Sequence, residues 1–259
     1  MLYFRKIKLF RSKTYANQRL YFTALPLTQP VLKLSVVIPT LQEEASIGRL
    51  LVYLKLHTSP DTEIIVTDGG STDATRSIAA AAGARVILCQ RSGRGYQMNQ
   101  GAVAATGNVL YFLHADTFPP EHFEQSIKQA VEQGWESGCF RLRFDRWHWF
   151  LQLNAWFTRF NVDAIRFGDQ SLFVKWEVFD LAGGFNEDLI LLEDQEIIGR
   201  LRKAASFKVL EQSVVTSARK YKQIGIYKLQ AGYFLIYGLY RLGLSQNQLV
   251  RVYRWIVSE

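Results

Sequence analysis

With 259 residues, 48% of them hydrophobic, the chain can bury a full core, and we predict one principal domain with appendages. Its two cysteines, Cys89 and Cys139, lack a paired spacing, which excludes a disulfide framework and a thiolate metal site and fits a reducing, cytoplasmic setting. The sequence has neither the roughly 18-residue apolar run of a membrane span nor the unbroken apolar core of a signal peptide.

The net charge of +8 is concentrated at the two ends of the chain. Residues 1–42 carry seven basic side chains and no acid, and residues 219–259 carry seven basic side chains and one acid, which leaves −5 for residues 43–218. This pattern favours attraction to an anionic surface, such as that of a membrane. The alternative is that both basic ends are simply solvated. The acidic body argues against a nucleic-acid partner.

Four short apolar runs predict four strands in the first half of the chain. They are Leu34–Ile38, Glu63–Thr67, Arg85–Cys89 and Val109–Leu113. The intervening segments have helical spacing, as in the apolar series Ile47, Leu50, Leu51 and Leu54, and a later helix carries Phe123, Ile127, Ala130 and Val131. Alternating strands and helices predict an α/β fold with a mostly parallel sheet flanked by helices.

The predicted domain organisation follows from where this pattern starts and stops. We assign residues 1–33 to a basic N-terminal extension, residues 34–220 to the α/β domain and residues 221–259 to a basic, amphipathic helical tail.

Polar or glycine-containing loops follow all four predicted strands, at residues 39–44, 68–73, 90–95 and 114–116. Because the carboxyl ends of parallel strands lie along one edge of a sheet, these loops are expected to converge on one crevice. Carboxylates there can accept from a nucleoside, and Arg91 and Arg94 can bind phosphate oxygens. Asp116 ends a strand buried on both faces and is placed for a metal-bound phosphate, although it could simply begin a turn.

Four segments carry a family resemblance when taken together. They are VVIPTLQEE at 36–44, IVTDGGSTD at 65–73, GNVLYFLHAD at 107–116 and LEDQ at 192–195. As a set they resemble family 2 glycosyltransferases of the GT-A fold, over about residues 34–205. The resemblance implies transfer of a sugar from a nucleotide-diphosphate donor, usually with Mg²⁺ or Mn²⁺.

The resemblance implies roles on the donor side. Pro39, Thr40 and Glu43 would line the nucleoside pocket, and Asp68 would contact the uracil or its neighbour. Asp116 would match the last aspartate of the family's DxD motif, which is the metal ligand.

The chain departs from the family at His114, where the first aspartate of that motif usually stands. Imidazole can ligate Mn²⁺ or donate to a phosphate, so His114 stays among the donor-binding candidates.

The resemblance also implies an acceptor side. Glu193 and Asp194 resemble the family's ED motif, in which the aspartate is the general base, and the pair Gly183 and Gly184 would shape the acceptor side together with Glu193. In-line attack assisted by one base predicts inversion, and a retaining reaction on a similar fold is the alternative. Acids in a first helical turn also suit the helix dipole, which is the structural alternative for this motif.

Basic residues near position 219 resemble the segment that relatives place beside the pyrophosphate. Arg219 is the principal candidate for closing over the leaving group, with Lys220 beside it. A solvated run of charge is the competing interpretation.

Two predicted apolar surfaces each allow two interpretations. Trp149, Leu153, Trp156, Phe157 and Phe160 fall on one helical face, for which we favour core packing over contact with an apolar acceptor or a membrane interface. The tail is expected either to pack on the body or to insert partly into an anionic leaflet. Membrane contact would make a lipid-like acceptor plausible, such as an isoprenoid or a carotenoid.

The sequence therefore predicts a metal-dependent, inverting glycosyltransferase that uses a UDP-sugar. A nucleotidyltransferase is one alternative, but it would be expected to have a glycine-rich, lysine-bearing loop after the first strand, where this chain has Pro39-Thr-Leu-Gln-Glu43. A degenerate fold that serves as a membrane-surface binding module is the other alternative, and His114 is the residue that keeps it open.

Overall fold

The computed structural model describes residues 31–162 and 170–258, so most of the predicted extension at residues 1–33 lies outside the described residues. The described strands are β1 (Leu34–Thr40), β2 (Glu63–Asp68), β3 (Arg85–Leu88), β4 (Val109–Phe112), β5 (Thr117–Phe118), β6 (Ser137–Phe144), β7 (Leu172–Lys175) and β8 (Phe207–Thr216). The described helices are α1 (Glu44–His57), α2 (Thr75–Ala81), α3 (Arg94–Ala104), α4 (Phe123–Glu132), α5 (Trp149–Phe157), α6 (Trp176–Leu181), α7 (Glu193–Ala204), α8 (Arg219–Ile224), α9 (Ile226–Arg241) and α10 (Gln246–Val257).

All eight described strands form one sheet in the order β3-β2-β1-β4-β7-β6-β8-β5. The four strands predicted from the first half pair in parallel, with β1 between β2 and β4. β7 then runs antiparallel to both β4 and β6, β6 is parallel to β8, and β5 is antiparallel to β8. The sheet is therefore mixed, and its parallel part carries the strand ends from which the crevice was predicted.

Helices cover both faces of this sheet. On one face, the predicted apolar positions of α1 and α4 are buried against alternate residues of β1, β4 and β6. On the other face, α3, α6 and α7 pack against the remaining residues of the same strands. Every residue of β4 is buried, which confirms that this strand is covered on both sides.

One close approach brings α3 directly onto the sheet. A Cβ atom added at Gly101 would lie 2.2 Å from Cγ1 of Val37, so a larger residue would push the helix away from β1. Gly101 therefore allows α3 to lie directly against β1 and β2.

At the amino-terminal end of β2, the carboxylate of Glu63 accepts several hydrogen bonds that stabilise this edge of the sheet. Its Oε1 atom accepts from the Ser35 and Thr106 hydroxyls, at 2.5 and 2.8 Å, and from the backbone N–H groups of Thr106 and Gly107. Burial by itself would raise the pKa of Glu63, but these hydrogen bonds to the charged form outweigh burial and lower it.

We therefore expect Glu63→Gln to lower the free energy of unfolding by about 1 kcal/mol at pH 7, because a neutral amide oxygen is a weaker acceptor. A lowered pKa contributes stability above the unfolded value of about 4.3 and loses it as pH falls through the folded value, so the deficit should shrink towards pH 3. Urea unfolding at both pH values measures this difference. Glu211→Gln, at an exposed position of β8, is the control, and a deficit that grows in acid would contradict the assignment.

The aromatic face of α5 is where the structure overturns the sequence-based expectation. The prediction favoured core packing, but Trp149, Leu153, Trp156, Phe157 and Phe160 are 41–55% exposed. The buried residues of this helix are instead Leu151 and Ala155, on its other side. The helix therefore presents an aromatic surface to solvent rather than a second core stripe.

The predicted tail is three helices rather than one. α8 and the start of α9 pack on the body through Tyr221 and Leu229, and α9 and α10 meet in a small cluster around Ile236, Leu249 and Ile256. A Cβ added at Gly232 would lie 2.9 Å from Ile256, so this contact is close. Among the described residues, none of the helices combines the length and the apolar character needed to cross a membrane.

Candidate active site

The loops after β1 and β2 are joined behind the crevice by Asp68. This side chain is 0% exposed, and it accepts from the Gly70 and Ser71 N–H groups and from the Ser71 and Thr40 hydroxyls. Its carboxylate is therefore hydrogen-bonded to the ends of both β1 and β2, and its predicted contact with the base stays a prediction. Pro39 and Thr40, predicted to line the nucleoside pocket, are likewise buried strand residues.

Gln42 links the same two loops through hydrogen bonds at the surface. It has a left-handed backbone with φ of 57°, its Oε1 accepts from the Thr72 N–H at 2.7 Å, and its own N–H donates to Ser71 Oγ at 2.9 Å. The next residue, Glu43, is partly exposed and accepts from the Ser46 hydroxyl. Of the three residues predicted to line the nucleoside pocket, Glu43 is the one that reaches the surface.

Gln97 is a residue that the sequence prediction missed. Its Nε2 donates to the carbonyl oxygens of Thr40 and Thr67, each at 2.7 Å, and so links α3 to the ends of β1 and β2. The signal for it was a polar residue on the buried face of α3, four residues before the tightly packed Gly101. Gln97 fixes the positions of the loops that would bind the nucleoside.

Asp116 lies between β4 and β5 and is partly exposed. The adjacent residue, Thr117, pairs with Thr216 of β8, and their hydroxyls are 3.0 Å apart. Since β8 leads directly into α8, this pairing brings Asp116 near the segment that carries Arg219. Arg219 in turn lies 3.9 Å from Glu43, between its Nη2 and the carboxylate Oε2. Arg219 and Glu43 therefore approach each other, and Asp116 directly precedes the residue that pairs with the end of β8.

The start of α7 lies beside the end of β4. His114 Nε2 lies 3.9 Å from Asp194 Oδ2, and Arg94 Nη1 lies 3.7 Å from the same carboxylate oxygen. Arg94 Nη1 also lies 3.1 Å from Glu193 Oε1, in an ion pair without an aligned hydrogen bond to that oxygen. Residues from α3, the end of β4 and α7 thus meet in space although 100 positions separate the first from the last.

Arg91 and the glycine pair have structural partners outside this cluster. Arg91 Nη2 binds Glu187 at 2.6 Å, and its guanidinium lies 4.5 Å above the Tyr96 ring. Gly183 and Gly184 form the left-handed end of α6, with φ of 79° and 66°, where Asn99 of α3 donates to the next carbonyl oxygen. The glycines are therefore a helix C-terminus, and they do not line the cavity described next.

A cavity of about 390 Å³ opens beside Asp194 and is bounded by residues of α5, α7, α8, α9 and α10. Its polar lining residues are Arg94, Asn154, Thr158, Glu193, Asp194, Gln195, Lys220 and Gln230. The rest is mostly aromatic and aliphatic: Leu142, Phe144, Phe157, Leu191, Leu192, Tyr221, Tyr233, Phe234, Ile236 and Tyr253. The chain therefore places an apolar cavity against the carboxylate predicted to be the general base.

The helical tail also holds the segment that leads to Asp194. Gln246 at the start of α10 accepts, through Oε1, from the N–H groups of Ile190 and Leu191 at 3.0 Å. Leu192 then adopts a left-handed conformation with φ of 68°, which is unfavourable for a branched residue and is sustained by its surroundings. The orientation of α7 thus depends on residues more than 50 positions away.

The comparison with protein families decides the assignment. Residues 35–183 match the model of "Glycosyl transferase family 2", which is more than half of the chain. The chain belongs to glycosyl transferase family 2. This membership does not favour either alternative, the nucleotidyltransferase or the degenerate binding module.

Two bacterial proteins are similar to parts of the chain. The glucosyl-3-phosphoglycerate synthase of Mycolicibacterium smegmatis is 34% identical over 96 residues, which cover 34% of this chain and 32% of that protein. The succinoglycan biosynthesis protein ExoA of Rhizobium meliloti is 26% identical over 191 residues, which cover 65% and 58% of the two chains. The match thus spans about a third of the mycobacterial relative and less than two thirds of the rhizobial one.

Two solved structures share the fold at low identity. The mannosyltransferase PcManGT of Pyrobaculum calidifontis, in complex with GDP-Man and Mn²⁺, has a TM-score of 0.64 at 16% identity and covers 87% of this chain and 70% of its own. The glucosyl-3-phosphoglycerate synthase of Mycobacterium tuberculosis has a TM-score of 0.55 at 18% identity and covers 88% and 81%. These likenesses confirm the GT-A fold.

The residues of this family 2 member fit a divalent cation that is coordinated jointly by the protein and by the substrate. Within residues 31–162 and 170–258, His, Cys, Asp and Glu side chains do not gather in threes as a protein-only metal site would need. Mg²⁺ commonly binds through one or two protein groups together with substrate phosphates. Asp116, with His114 two residues before it at the same strand end, offers such a partial ligand set.

Proposed function

We propose that the chain transfers a sugar from a nucleotide-diphosphate donor to an acceptor hydroxyl or carboxyl group, with inversion at the anomeric carbon. The observation that carries this proposal is the 3.9 Å approach of His114 to Asp194. It brings the strand end that carries Asp116 to the start of α7, where a base can face the donor. Family membership supports the reaction class.

On the donor side, Asp116 with His114 would hold Mg²⁺ or Mn²⁺, and Arg219 would approach the diphosphate from α8. The bound cation would neutralise the charge that develops on the leaving nucleoside diphosphate. Glu43, 3.9 Å from Arg219, would contact the nucleoside, while Thr40, Asp68 and Pro39 would support its pocket from behind. In this structure Arg91 and Arg94 are paired with carboxylates, so their phosphate role would require exchange of partners.

For the nucleotide we infer UDP. The fold neighbour TarS of S. aureus has been solved in complex with UDP-GlcNAc, which supports a UDP-sugar. PcManGT was solved with GDP-Man, which makes a GDP-sugar the alternative. Thermal unfolding of the chain with Mn²⁺ and UDP, compared with Mn²⁺ and GDP, separates the two, since the favoured nucleotide should raise the transition temperature more.

On the acceptor side, Asp194 would act as the general base. As the acceptor oxygen forms its bond to the anomeric carbon, its proton passes to the Asp194 carboxylate. The bond between that carbon and the diphosphate oxygen breaks, and the nucleoside diphosphate leaves with the electron pair. Asp194 then returns the proton to solvent. One displacement without an enzyme nucleophile gives inversion.

We further propose that the acceptor is lipid-like and that the chain contacts a membrane surface. The aromatic face of α5 supports this, because Trp149 and Trp156 are exposed beside the basic Arg159, whose guanidinium lies 4.6 Å above the Trp156 ring. Trp and Arg both suit the interface between lipid headgroups and chains. Tyr227 at the start of α9 contacts the Trp149 ring and extends the same surface.

The membrane proposal is tested by sedimentation with vesicles that contain phosphatidylglycerol. We expect the double variant Trp149→Ser with Trp156→Ser to lower the bound fraction at least about tenfold, because two aromatic side chains no longer insert. Leu181→Ser, which removes an exposed apolar side chain from α6, is the matched control and should bind as the unaltered chain does. Equal binding by the double variant would assign the surface to another partner.

The glycosyltransferase proposal as a whole is tested with purified protein, Mn²⁺ and a panel of radiolabelled UDP- and GDP-sugars. Transfer to alcohols extracted with membranes is the expected result, with hydrolysis of the same donor in their absence. If the chain neither binds nor consumes any donor of the panel, the proposed reaction is wrong.

A further inference from the structure

A second cavity, which we call the basic cleft, lies between the end of β6 and the start of α8 and has a volume of about 360 Å³. Its lining residues are Asp145, Arg146, Ser217, Arg219, Lys222 and Gln223. Three of these side chains are basic and one is acidic, so the lining of the basic cleft is cationic and its other members are polar.

The one acidic side chain of the basic cleft has a role in the fold. β6 and β8 run parallel and pair Phe144 with Thr216, so the residues that follow these strands lie side by side. The Asp145 N–H donates to the Thr216 carbonyl oxygen at 3.0 Å, and Asp145 Oδ1 accepts from the Ala218 N–H at 2.8 Å. The carboxylate thus holds the backbone that leads into α8.

Two cations of the basic cleft have no partner within the described part of the chain. Arg146 and Lys222 are exposed, and neither forms an ion pair or a side-chain hydrogen bond with residues 31–162 or 170–258. The third cation, Arg219, has only the 3.9 Å contact with Glu43. A cleft lined by one sign of charge concentrates counter-ions, and the guanidinium fork matches the oxygens of a phosphate. The basic cleft therefore suits a phosphate group.

The surroundings of the basic cleft indicate where this phosphate comes from. Arg146 is followed directly by Trp147, which is 81% exposed, and the chain then enters the aromatic face of α5 at Trp149. The other wall leads from α8 to Tyr227, whose ring centroid lies 6.4 Å from that of Trp149. The two segments that leave the basic cleft therefore meet in an aromatic contact. Exposed tryptophan beside basic side chains suits the level of the lipid headgroups.

We propose that the basic cleft binds the phosphate of an anionic membrane lipid, with Arg146 and Lys222 as the contacting cations. The headgroup would lie in the cleft while the aromatic face of α5 enters the bilayer beside it. This inference rests on the proposed membrane contact and adds a site that selects lipid charge. Arg219 is left out of the test because it also belongs to the proposed donor site.

The test compares the unaltered chain with the double variant Arg146→Gln with Lys222→Gln, by sedimentation with vesicles of phosphatidylglycerol or of phosphatidylcholine. We expect the variant to bind phosphatidylglycerol about 25-fold more weakly, because each basic side chain at an anionic surface contributes about fivefold. Its binding to phosphatidylcholine should stay within about twofold of the unaltered chain, since the aromatic face of α5 is intact.

A matched control separates a site from general charge attraction. Arg49→Gln with Lys55→Gln removes the same two charges from exposed positions of α1 and should leave binding to both vesicles within about twofold. If this control weakens binding to phosphatidylglycerol as much as the cleft variant does, the attraction is a property of the net charge and the site is refuted.

A soluble phosphate is the other occupant with the same chemistry, and calorimetric titration distinguishes it. We expect the cleft variant to bind UDP with Mn²⁺ within about twofold of the unaltered chain, and inorganic phosphate to bind weakly to both. The inference is overturned if the variant keeps its affinity for phosphatidylglycerol but loses affinity for UDP or for inorganic phosphate, because the basic cleft then serves a soluble phosphate.

These outcomes are separable from failure of the proposed membrane contact. If Trp149→Ser with Trp156→Ser weakens vesicle binding but the cleft variant binds phosphatidylglycerol normally, the membrane contact is retained and the lipid site is refuted. If the unaltered chain binds neither vesicle, both proposals are wrong. Neither assay involves sugar transfer, so the proposed reaction is tested independently of them.

Discussion

Asp194→Asn is expected to reduce sugar transfer by roughly 10² to 10⁴, the range that general-base assistance contributes, while nucleotide affinity stays within about twofold. Asparagine keeps the shape of the side chain but cannot take the proton of the attacking acceptor. Its amide can still lie beside Arg94 and His114, which contact the carboxylate at 3.7 and 3.9 Å, so folding should be retained. Single-turnover transfer and nucleotide titration with Mn²⁺ measure the two effects separately.

The matched control is Asp188→Asn, which makes the same change at an exposed position shortly before α7 and should leave both quantities unaltered. If Asp194→Asn keeps activity close to that of the unaltered chain, Asp194 is not the general base. The neighbouring carboxylate would then be examined through Glu193→Gln. Glu193 is buried against Arg94, which makes it a positioning residue in the present proposal.

Asp116→Ala is expected to remove the stimulation of nucleotide-diphosphate binding by Mn²⁺, with a loss of about 10- to 100-fold in affinity when the metal is present. Without metal the variant and the unaltered chain should bind UDP equally weakly. The reason is that Asp116 is the carboxylate at this strand end, and its loss leaves His114 and the substrate phosphates to hold the cation.

Titration of UDP with and without Mn²⁺ provides the measurement, and manganese paramagnetic broadening of the nucleotide phosphorus signals provides an independent one. Asp61→Ala, at an exposed position before β2, controls for the loss of one negative charge. An unchanged dependence on Mn²⁺ in Asp116→Ala would place the metal on other groups. If the enzyme is fully active without metal, Arg219 is the charged group expected to stabilise the leaving group.

Local sequence patterns were sufficient for the parallel part of the sheet. The apolar runs of β1, β2 and β4 and the helical spacing of α1 and α4 each reflect burial against an immediate neighbour in the fold. The expected convergence of the strand ends followed from the geometry of parallel strands. Arg219 was assigned from the family resemblance instead, and its 3.9 Å approach to Glu43 depends on the placement of α8. The base segment was recognised by its family resemblance rather than by any periodicity.

The same patterns failed where burial depends on a distant element. The spacing of Trp149, Trp156 and Phe160 defines one face of a helix but does not specify whether another element covers that face. The sequence around Asp68 likewise does not specify that the hydroxyls of Ser71 and Thr40 enclose its carboxylate. Gln97 was missed because a polar residue on a buried helical face has no local signature of what it holds.

The amino-acid sequence alone determined the alternation of strands and helices and the strand end that carries Asp116, because these depend on neighbours within a few positions. The ED segment was identified through the family resemblance. The tertiary structure decided which groups meet. The contacts of Asp194 with His114 and Arg94, the support of its loop by Gln246 and the apolar cavity beside Asp194 all join segments distant along the chain. Such contacts arise from the order of strands in the sheet and the packing of the last helices, which no short stretch of sequence encodes.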